Sequence, residues 1–185
     1  MSDGEEGLTR APDAQLVQRA RGGDPTALDT LVRRHTDAAF RVALSFVRDE
    51  DRAQDIVQDA FIKAFRALDR FRGDASFKTW LLTITTNEAR GALRKVKRWN
   101  EAPIEHTEPV ADDRPGPDEG AVLADESARA RALLERLPEK QRLSVTLRVD
   151  EGLSFREIGD VIGSSEGAAR VNYFHGIRRL REWME

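Results

Sequence analysis

A segment rich in proline and acidic residues interrupts every helical pattern in the middle of the chain. Residues 101–125 contain eight acidic side chains and one basic side chain. The same stretch holds four prolines, Pro103, Pro109, Pro115 and Pro117. Proline ends a helix because its ring removes the amide donor, and like charges repel one another. We therefore expect residues 99–126 to form a flexible acidic linker that can hold two domains well apart.

The parts on either side of this segment show the spacing of amphipathic helices and no strand pattern. In the first part, Asp13 is a candidate N-cap for a helix over 14–21, Asp24-Pro25 begins a helix that runs to about Val47, and Asp49 precedes another. A fourth helix is predicted from Phe77 to about Arg98. The pattern predicts an all-α protein with a disordered tail over 1–12, a helical domain over 13–98 and a second helical domain over 127–185.

Composition excludes several classes of protein. The 185-residue chain has a formal net charge of −3, no cysteine and three widely separated histidines. Disulfides, thiolate metal sites and cysteine nucleophiles are therefore excluded, and a histidine metal site is not expected. No apolar run approaches the ~18 residues of a spanning helix. We expect a cytoplasmic protein without membrane insertion, metal or cofactor, and an enzyme is the weakest of the functional interpretations.

The segment from Leu153 to Arg170 has the signals of a helix-turn-helix. Ser154 and Glu157 have the spacing of a capping box, Gly159 is small where two helices must cross, and Gly163 permits a left-handed turn. Ser165 can cap the next helix. In such a motif the second helix enters the major groove of DNA. An ordinary helical hairpin is the alternative interpretation.

A strongly basic stretch lies in the first part. Residues 63–98 contain ten basic and three acidic side chains, a local charge of +7. Phe71, Phe77 and Trp80 are interleaved with these bases, a combination that suits single-stranded nucleic acid. Phe77 and part of Trp80 can instead belong to the core. The preceding helix turns acids and amides outward, which favours a protein partner.

Three segments resemble the extracytoplasmic-function (group IV, sigma-70 family) RNA polymerase sigma factors. They are the runs Asp55–Phe65 and Phe71–Leu81 and the helix-turn-helix near the C-terminus. The resemblance covers residues 13–185 in the family's order, with a region 2 domain, a linker and a region 4 domain. It implies a non-catalytic factor that binds core RNA polymerase and directs initiation at promoters with −10 and −35 elements. An anti-sigma factor is a further partner that it suggests.

The resemblance also implies roles for individual residues. Docking on the β′ clamp falls to four residues of the third helix: Asp55, Gln58, Asp59 and Ile62. The residues that would open the −10 element and hold its non-template strand are Arg72, Ser76, Lys78, Trp80, Asn87, Arg90 and Arg94. The residues that would read the −35 element are Arg156, Ser164, Ser165, Glu166, Gly167, Arg170, Val171, Asn172 and His175. The domain that contains them would also contact the β flap. The linker would thread toward the active-site and RNA-exit channels.

Two points remain open from the sequence. The run Arg170-Val171-Asn172 departs from the Lys/Arg-Ser-Arg that the family often carries, so the −35 sequence is not defined. A stand-alone helix-turn-helix regulator is the alternative function, although it leaves the basic aromatic stretch unexplained. Co-purification with core polymerase distinguishes the two.

Overall fold

The computed structural model describes residues 10–101, 129–130 and 132–184, and those residues contain helices and no strand. The first region, residues 10–101, holds four α-helices and one 3-10 turn. They are α1 (Asp13–Arg21), α2 (Pro25–Val47), α3 (Glu50–Arg66), the turn Leu68–Arg70, and α4 (Phe77–Glu101). The expected all-α class and the four expected helices are confirmed.

The predicted N-cap at Asp24 is present, and Asp49 caps α3. The Asp24 carboxylate accepts a hydrogen bond from the Thr26 amide at 2.9 Å, and the Asp49 carboxylate accepts one from the Arg52 amide at 2.8 Å. Each bond satisfies an amide that has no partner within its helix. The prediction for Asp13 is wrong. Pro12 occupies the N-cap position of α1, and the Asp13 side chain lies 2.8 Å from Arg34 Nη1 and 2.7 Å from His35 Nε2.

Apolar side chains at helical spacing build the core of the first region. Helix α2 packs against α1, α3 and α4. The side chains of Leu16, Leu31, Val42, Leu81 and Leu82 are fully buried between these helices. Burial of each aliphatic side chain contributes about 1.5–3 kcal/mol to folding. The polar face of each helix is left toward solvent.

The second region, residues 129–184, is also helical. Residues 129–130 and 132–135 are helical, and they are followed by α5 (Glu139–Val149), α6 (Phe155–Ile162) and α7 (Glu166–Met184). Helix α7 packs on both α5 and α6. Leu143, Leu147, Ile158 and Ile162 are fully buried there. Residues 127, 128 and 131 of the second helical domain, predicted over 127–185, lie outside the described residues.

The end of α4 differs slightly from the sequence-based boundary. The helix continues to Glu101, three residues beyond the predicted end at Arg98. The predicted linker therefore begins inside helix α4. Its remainder, over 102–126, and residues 1–9 of the predicted tail lie outside the described residues.

The two regions are in contact in this structure, whereas the sequence suggested a linker that can hold them well apart. Helix α4 packs against α6, and α2 packs against α5. Glu151, in the turn between α5 and α6, lies 2.7 Å from both Arg41 Nε and Lys78 Nζ of the first region. Opposite charges on the two facing surfaces favour this contact. The charge pattern of the linker carries no information about those surfaces, so it could not predict the contact.

Candidate nucleic-acid interface

An exposed strip of acid and amide side chains runs along α3. Asp55, Gln58 and Asp59 are exposed, and Ile62 is 42% exposed beside them. The opposite face of the helix carries buried residues, among them Ile56 and Ala60. Helical periodicity therefore brings the four residues predicted for polymerase docking onto one solvent-facing strip. Such a strip suits a basic partner surface.

Three aromatic rings form a cluster where the loop 71–76 meets α4. The Trp80 ring centroid lies 5.0 Å from that of Phe71 and 5.9 Å from that of Phe77. Phe77 is buried, while Phe71 and Trp80 are half-buried. The core role that the sequence allowed for Phe77 is confirmed. Trp80 contacts the other two rings and is half-buried, so part of its surface is open to a further ring.

Arg21 of α1 holds the start of this loop. Its guanidinium donates to the backbone oxygen of Leu68 at 3.1 Å from Nε and at 2.9 Å from Nη2, and Nη2 also donates to the backbone oxygen of Phe71. At the other end of the loop, the Ser76 hydroxyl accepts a hydrogen bond from the Thr79 amide at 3.0 Å. Both ends of the loop are therefore fixed.

The polar and basic residues predicted to contact the −10 element fall into two groups. Arg72, Asn87 and Arg94 are exposed, as is Ser76, and Arg72 forms an exposed ion pair with Asp74 at 2.8 Å. Lys78 and Arg90 are half-buried because acidic side chains of the second region bind them. The structure thus brings all of these residues to the loop 71–76 and α4 but leaves only the first group open to solvent.

The helix-turn-helix has the geometry that its sequence signals predict. Ser154 Oγ accepts from the Glu157 amide at 3.3 Å, and Glu157 Oε2 accepts from the Ser154 amide at 2.9 Å. Gly163 adopts φ 69°, which is left-handed. A Cβ on Gly159 would lie 2.8 Å from the backbone oxygen of Ser164. The two helices can approach this closely only because position 159 carries no side chain.

Helix α7 presents most of its predicted DNA-reading residues to solvent. Exposed positions in this motif are Arg156, Ser165, Glu166, Gly167, Arg170, Val171 and His175, while Ser164 is half-buried. The Ser165 hydroxyl accepts from the Ala168 amide at 3.2 Å, which is the predicted cap. Asn172 differs from the rest. It is half-buried, and its Nδ2 donates to the backbone oxygen of Ala168 at 2.8 Å.

Arg170 is held in place before any DNA is present. Its Nη2 lies 3.0 Å from Glu166 Oε1, and its guanidinium carbon lies 5.2 Å from the centre of the Phe155 ring. Arg148 Cζ lies 5.1 Å from the same ring centre. Phe155 therefore provides an aromatic surface for two guanidinium groups.

Two features of α7 were not assigned a role from the sequence. Phe174 is 57% exposed, one helical turn beyond Val171, and its ring contacts Phe155 and Tyr173 at centroid distances of 6.3 and 5.3 Å. The spacing of three residues from Val171 is the signal that could have identified it. Gly176 is buried, and a Cβ there would lie 2.8 Å from Val145 Cγ2, which explains the glycine by packing.

The described ranges offer neither a metal-binding cluster nor a membrane-spanning helix. Those residues contain no group of three or more His, Cys, Asp or Glu side chains placed to hold a metal ion. Among them, no helix has both the length and the apolar character needed to cross a bilayer.

Comparisons with known proteins place these surfaces in a family. Residues 31–99 match the sigma-70 region 2 model, and residues 127–180 match the sigma-70 region 4 model. The chain is 39% identical over 177 residues to the RNA polymerase sigma-H factor of Pseudomonas aeruginosa, covering 90% of this chain and 91% of that one. It is 34% identical over 185 residues to the ECF RNA polymerase sigma-E factor of Haemophilus influenzae, covering 94% and 93%.

A solved structure agrees with the sequence relatives. The sigma factor RpoE of Bartonella quintana, in complex with the anti-sigma factor NepR, superposes with a TM-score of 0.67 at 26% identity, covering 84% of this chain and 95% of that one. Both regions thus match in the family's order. The chain belongs to the extracytoplasmic-function group of the sigma-70 family of RNA polymerase sigma factors.

Proposed function

We propose that this sigma factor binds core RNA polymerase through the exposed strip of α3 and directs initiation at promoters with −10 and −35 elements. One observation carries the proposal. The exposed acidic strip and the basic aromatic loop occur on adjacent elements of one helical region, so a single rigid body can hold polymerase and DNA together. Helices α3 and α4 pack directly on one another.

In this proposal the loop 71–76 and the first turns of α4 handle the −10 element. Trp80 offers a partly open ring to an unpaired base, and Asn87 and Arg94 are exposed on the same helix. A base that stacks on an aromatic side chain gains about 1–3 kcal/mol. The aromatic cluster and Arg21 fix the loop beforehand, so little ordering cost remains when DNA binds.

The helix-turn-helix would read the −35 element in the major groove. Arg170 has the donor geometry for guanine edges or phosphate, and Val171 presents an apolar group that suits a thymine methyl. Asn172 must first release the backbone oxygen of Ala168 to reach a base. Arg156 and His175 are also exposed, and side chains of these types would contact phosphates.

The partners follow from these surfaces and from the relatives. They are the β′ clamp and the β flap of core polymerase, promoter DNA, and an anti-sigma factor, the last supported by the similar sigma factor whose structure contains one. We further propose that the protein acts in the cytoplasm and has no catalytic activity of its own. Its domains would be residues 13–98, extended by the end of α4, and 127–185.

Run-off transcription with core polymerase on a random promoter library tests the proposal. We expect transcripts that depend on the added protein, with enriched templates sharing two elements at a fixed spacing. Core polymerase alone is the control. Transcripts that are equal with and without the protein would contradict the proposed function.

A further inference from the structure

One buried carboxylate of the second region binds two cations of the first. The Glu151 side chain is only 1% exposed, with Oε1 2.7 Å from Arg41 Nε and Oε2 2.7 Å from Lys78 Nζ. Lys78 Nζ also donates to the backbone oxygen of Glu151 at 3.1 Å. Burial alone would raise the pKa of Glu151, but hydrogen bonds from Arg41 and Lys78 outweigh it and hold that pKa below its usual value.

A second polar contact lies further along α4. Arg90 Nε donates to Glu139 Oε1 at 3.0 Å, and Arg90 Nη2 donates to the backbone oxygen of Ile162 at 3.1 Å. Between the two contacts, Thr79 Oγ1 donates to Glu157 Oε1 at 3.1 Å. Three residues of one face of α4 are thus bound by carboxylates or a carbonyl at the starts and ends of α5 and α6.

We propose that these contacts form an autoinhibitory latch, in which Glu151 and Glu139 occupy the cation sites that DNA phosphates use when the factor is active. The inference rests on the proposed function, because Lys78 and Arg90 are among the residues assigned to the −10 element. Lys and Arg donate hydrogen bonds to carboxylate and to phosphate oxygens alike, so the acidic side chains and DNA phosphates compete for these two cations. The second region therefore covers part of the DNA-binding face of the first.

Apolar packing accompanies these polar contacts. One continuous cluster of buried apolar residues includes members of both regions, among them Leu81 of α4 and Ile158 of α6. An open groove of about 520 Å³ lies between α2, the helical residues 132–135 and α5. The latch contacts are the directional part of this interface, because hydrogen bonds depend on geometry whereas apolar burial is non-directional.

The latch predicts how the free protein behaves. A binding site that is open for a fraction of the time has its apparent affinity reduced by that fraction. If the closed form is about nine-tenths of the population, opening it strengthens DNA binding about tenfold. Polymerase or DNA that binds the open form shifts the population toward it.

The test uses the full chain with Glu151→Gln and, separately, Glu139→Gln. Glu182→Gln is the matched control, because it makes the same change in charge within an exposed pair with Arg178 on α7. The chain has no native cysteine, so Asp29→Cys and Asp160→Cys allow a dye pair, one in each region, for measurement of energy transfer. DNA affinity is measured by fluorescence anisotropy with a 20-nucleotide single strand, without polymerase.

We expect both latch variants to lower energy transfer and to bind the oligonucleotide about tenfold more tightly than wild type, with Glu182→Gln unchanged. Circular dichroism reports whether each variant is folded. If Glu151→Gln does not fold, the energy transfer and DNA affinity of Glu139→Gln test the latch. Unchanged energy transfer, or reduced transfer with unchanged DNA affinity, would overturn the latch. Run-off transcription by the wild-type protein separates the two proposals, since loss of the latch leaves transcription intact and loss of the proposed function does not.

Discussion

Arg21 donates two hydrogen bonds to the backbone oxygen of Leu68, at 3.1 Å from Nε and 2.9 Å from Nη2. The two residues are 47 positions apart in sequence. Because the guanidinium also reaches the backbone oxygen of Phe71, α1 fixes the turn that leads into the aromatic loop. A residue outside the predicted DNA contacts therefore sets the position of those contacts.

Replacement of Arg21 should loosen this turn. We expect Arg21→Ala to lower the free energy of unfolding by about 1–3 kcal/mol, because two backbone oxygens lose a charged donor. Urea denaturation measures the change. Arg33→Ala is the control, since Arg33 makes an exposed pair with Asp29 that contributes about 0.5 kcal/mol or less. An equal decrease in the free energy of unfolding in the two variants would show that the Arg21 contacts contribute no more than an exposed ion pair.

Gly159 and Gly167 should respond differently to alanine. A Cβ on Gly159 meets backbone atoms of Ser164, Ser165 and Glu166 at 2.8 to 3.3 Å, whereas one on Gly167 meets nothing within 4 Å. We expect Gly159→Ala to cost about 1–3 kcal/mol through overpacking, and Gly167→Ala to be neutral or slightly stabilising within its helix. Thermal unfolding followed by circular dichroism compares them. A neutral Gly159→Ala would mean that the turn can shift to make room.

Asp13 should make stability depend on pH. Its pKa is lowered chiefly by the hydrogen bond with His35, an effect that burial opposes and that Arg34 reinforces. A lowered pKa in the folded state contributes stability at pH values above the unfolded pKa of about 4, and this stability is lost as the pH falls through the lowered value. Asp13→Asn should therefore be less stable at pH 7, by about 1 kcal/mol, and should lose less on acidification.

Urea midpoints at pH 7 and at about pH 3 test this prediction, with the exposed Asp29→Asn as the control. The difference between wild type and Asp13→Asn should shrink at the lower pH. A difference that stays constant across the range would exclude a titrating Asp13 as its source.

Charge reversal on α3 should disrupt polymerase binding. Asp55 and Gln58 are exposed on the strip opposite the buried face, so Asp55→Arg and Gln58→Arg should fold normally and lose core binding. Like charges placed together in an interface cost several kcal/mol. Pull-down of core polymerase measures the effect, and Asp29→Arg on α2 makes the same charge change away from the strip. Normal recovery of polymerase by Asp55→Arg would contradict the docking surface.

Trp80 and Asn87 should affect promoter opening more than duplex binding. A lost stacking contact to an unpaired base costs about 1–3 kcal/mol. Trp80→Ala also removes ring contacts with Phe71 and Phe77, so it should reduce stability, whereas the exposed Asn87→Ala should not. Permanganate reactivity on a linear promoter and on one with a preformed bubble separates the steps. Equal defects on both templates would argue against a role in opening.

Local signals predicted most of the fold. Asp24, Asp49 and the Ser154–Glu157 pair mark helix starts because their partners lie two or three residues away. The outward strip of α3 follows from periodicity alone. Asp13 misled the prediction because its true partners, Arg34 and His35, are 21 and 22 positions away and compete for the same carboxylate.

Contacts between the regions could not be predicted in this way. Glu151 binds Arg41 from 110 positions away, and no composition or spacing connects the two. The sequence revealed which residues bear charge, and the resemblance to the sigma-70 family implied that Lys78 and Arg90 contact DNA. It could not reveal that acidic residues of the same chain reach these cations.

The Phe155 ring, whose centre lies within 5.2 Å of the guanidinium carbons of both Arg148 and Arg170, has a consequence for how promoter preference can evolve. Arg170 loses fewer rotamers on meeting a base because the ring and Glu166 already restrict it. A change of ring size at position 155 alters that restriction without altering any atom that faces the groove. Descendants of this factor can thus acquire new target sites through a substitution hidden behind the reading surface.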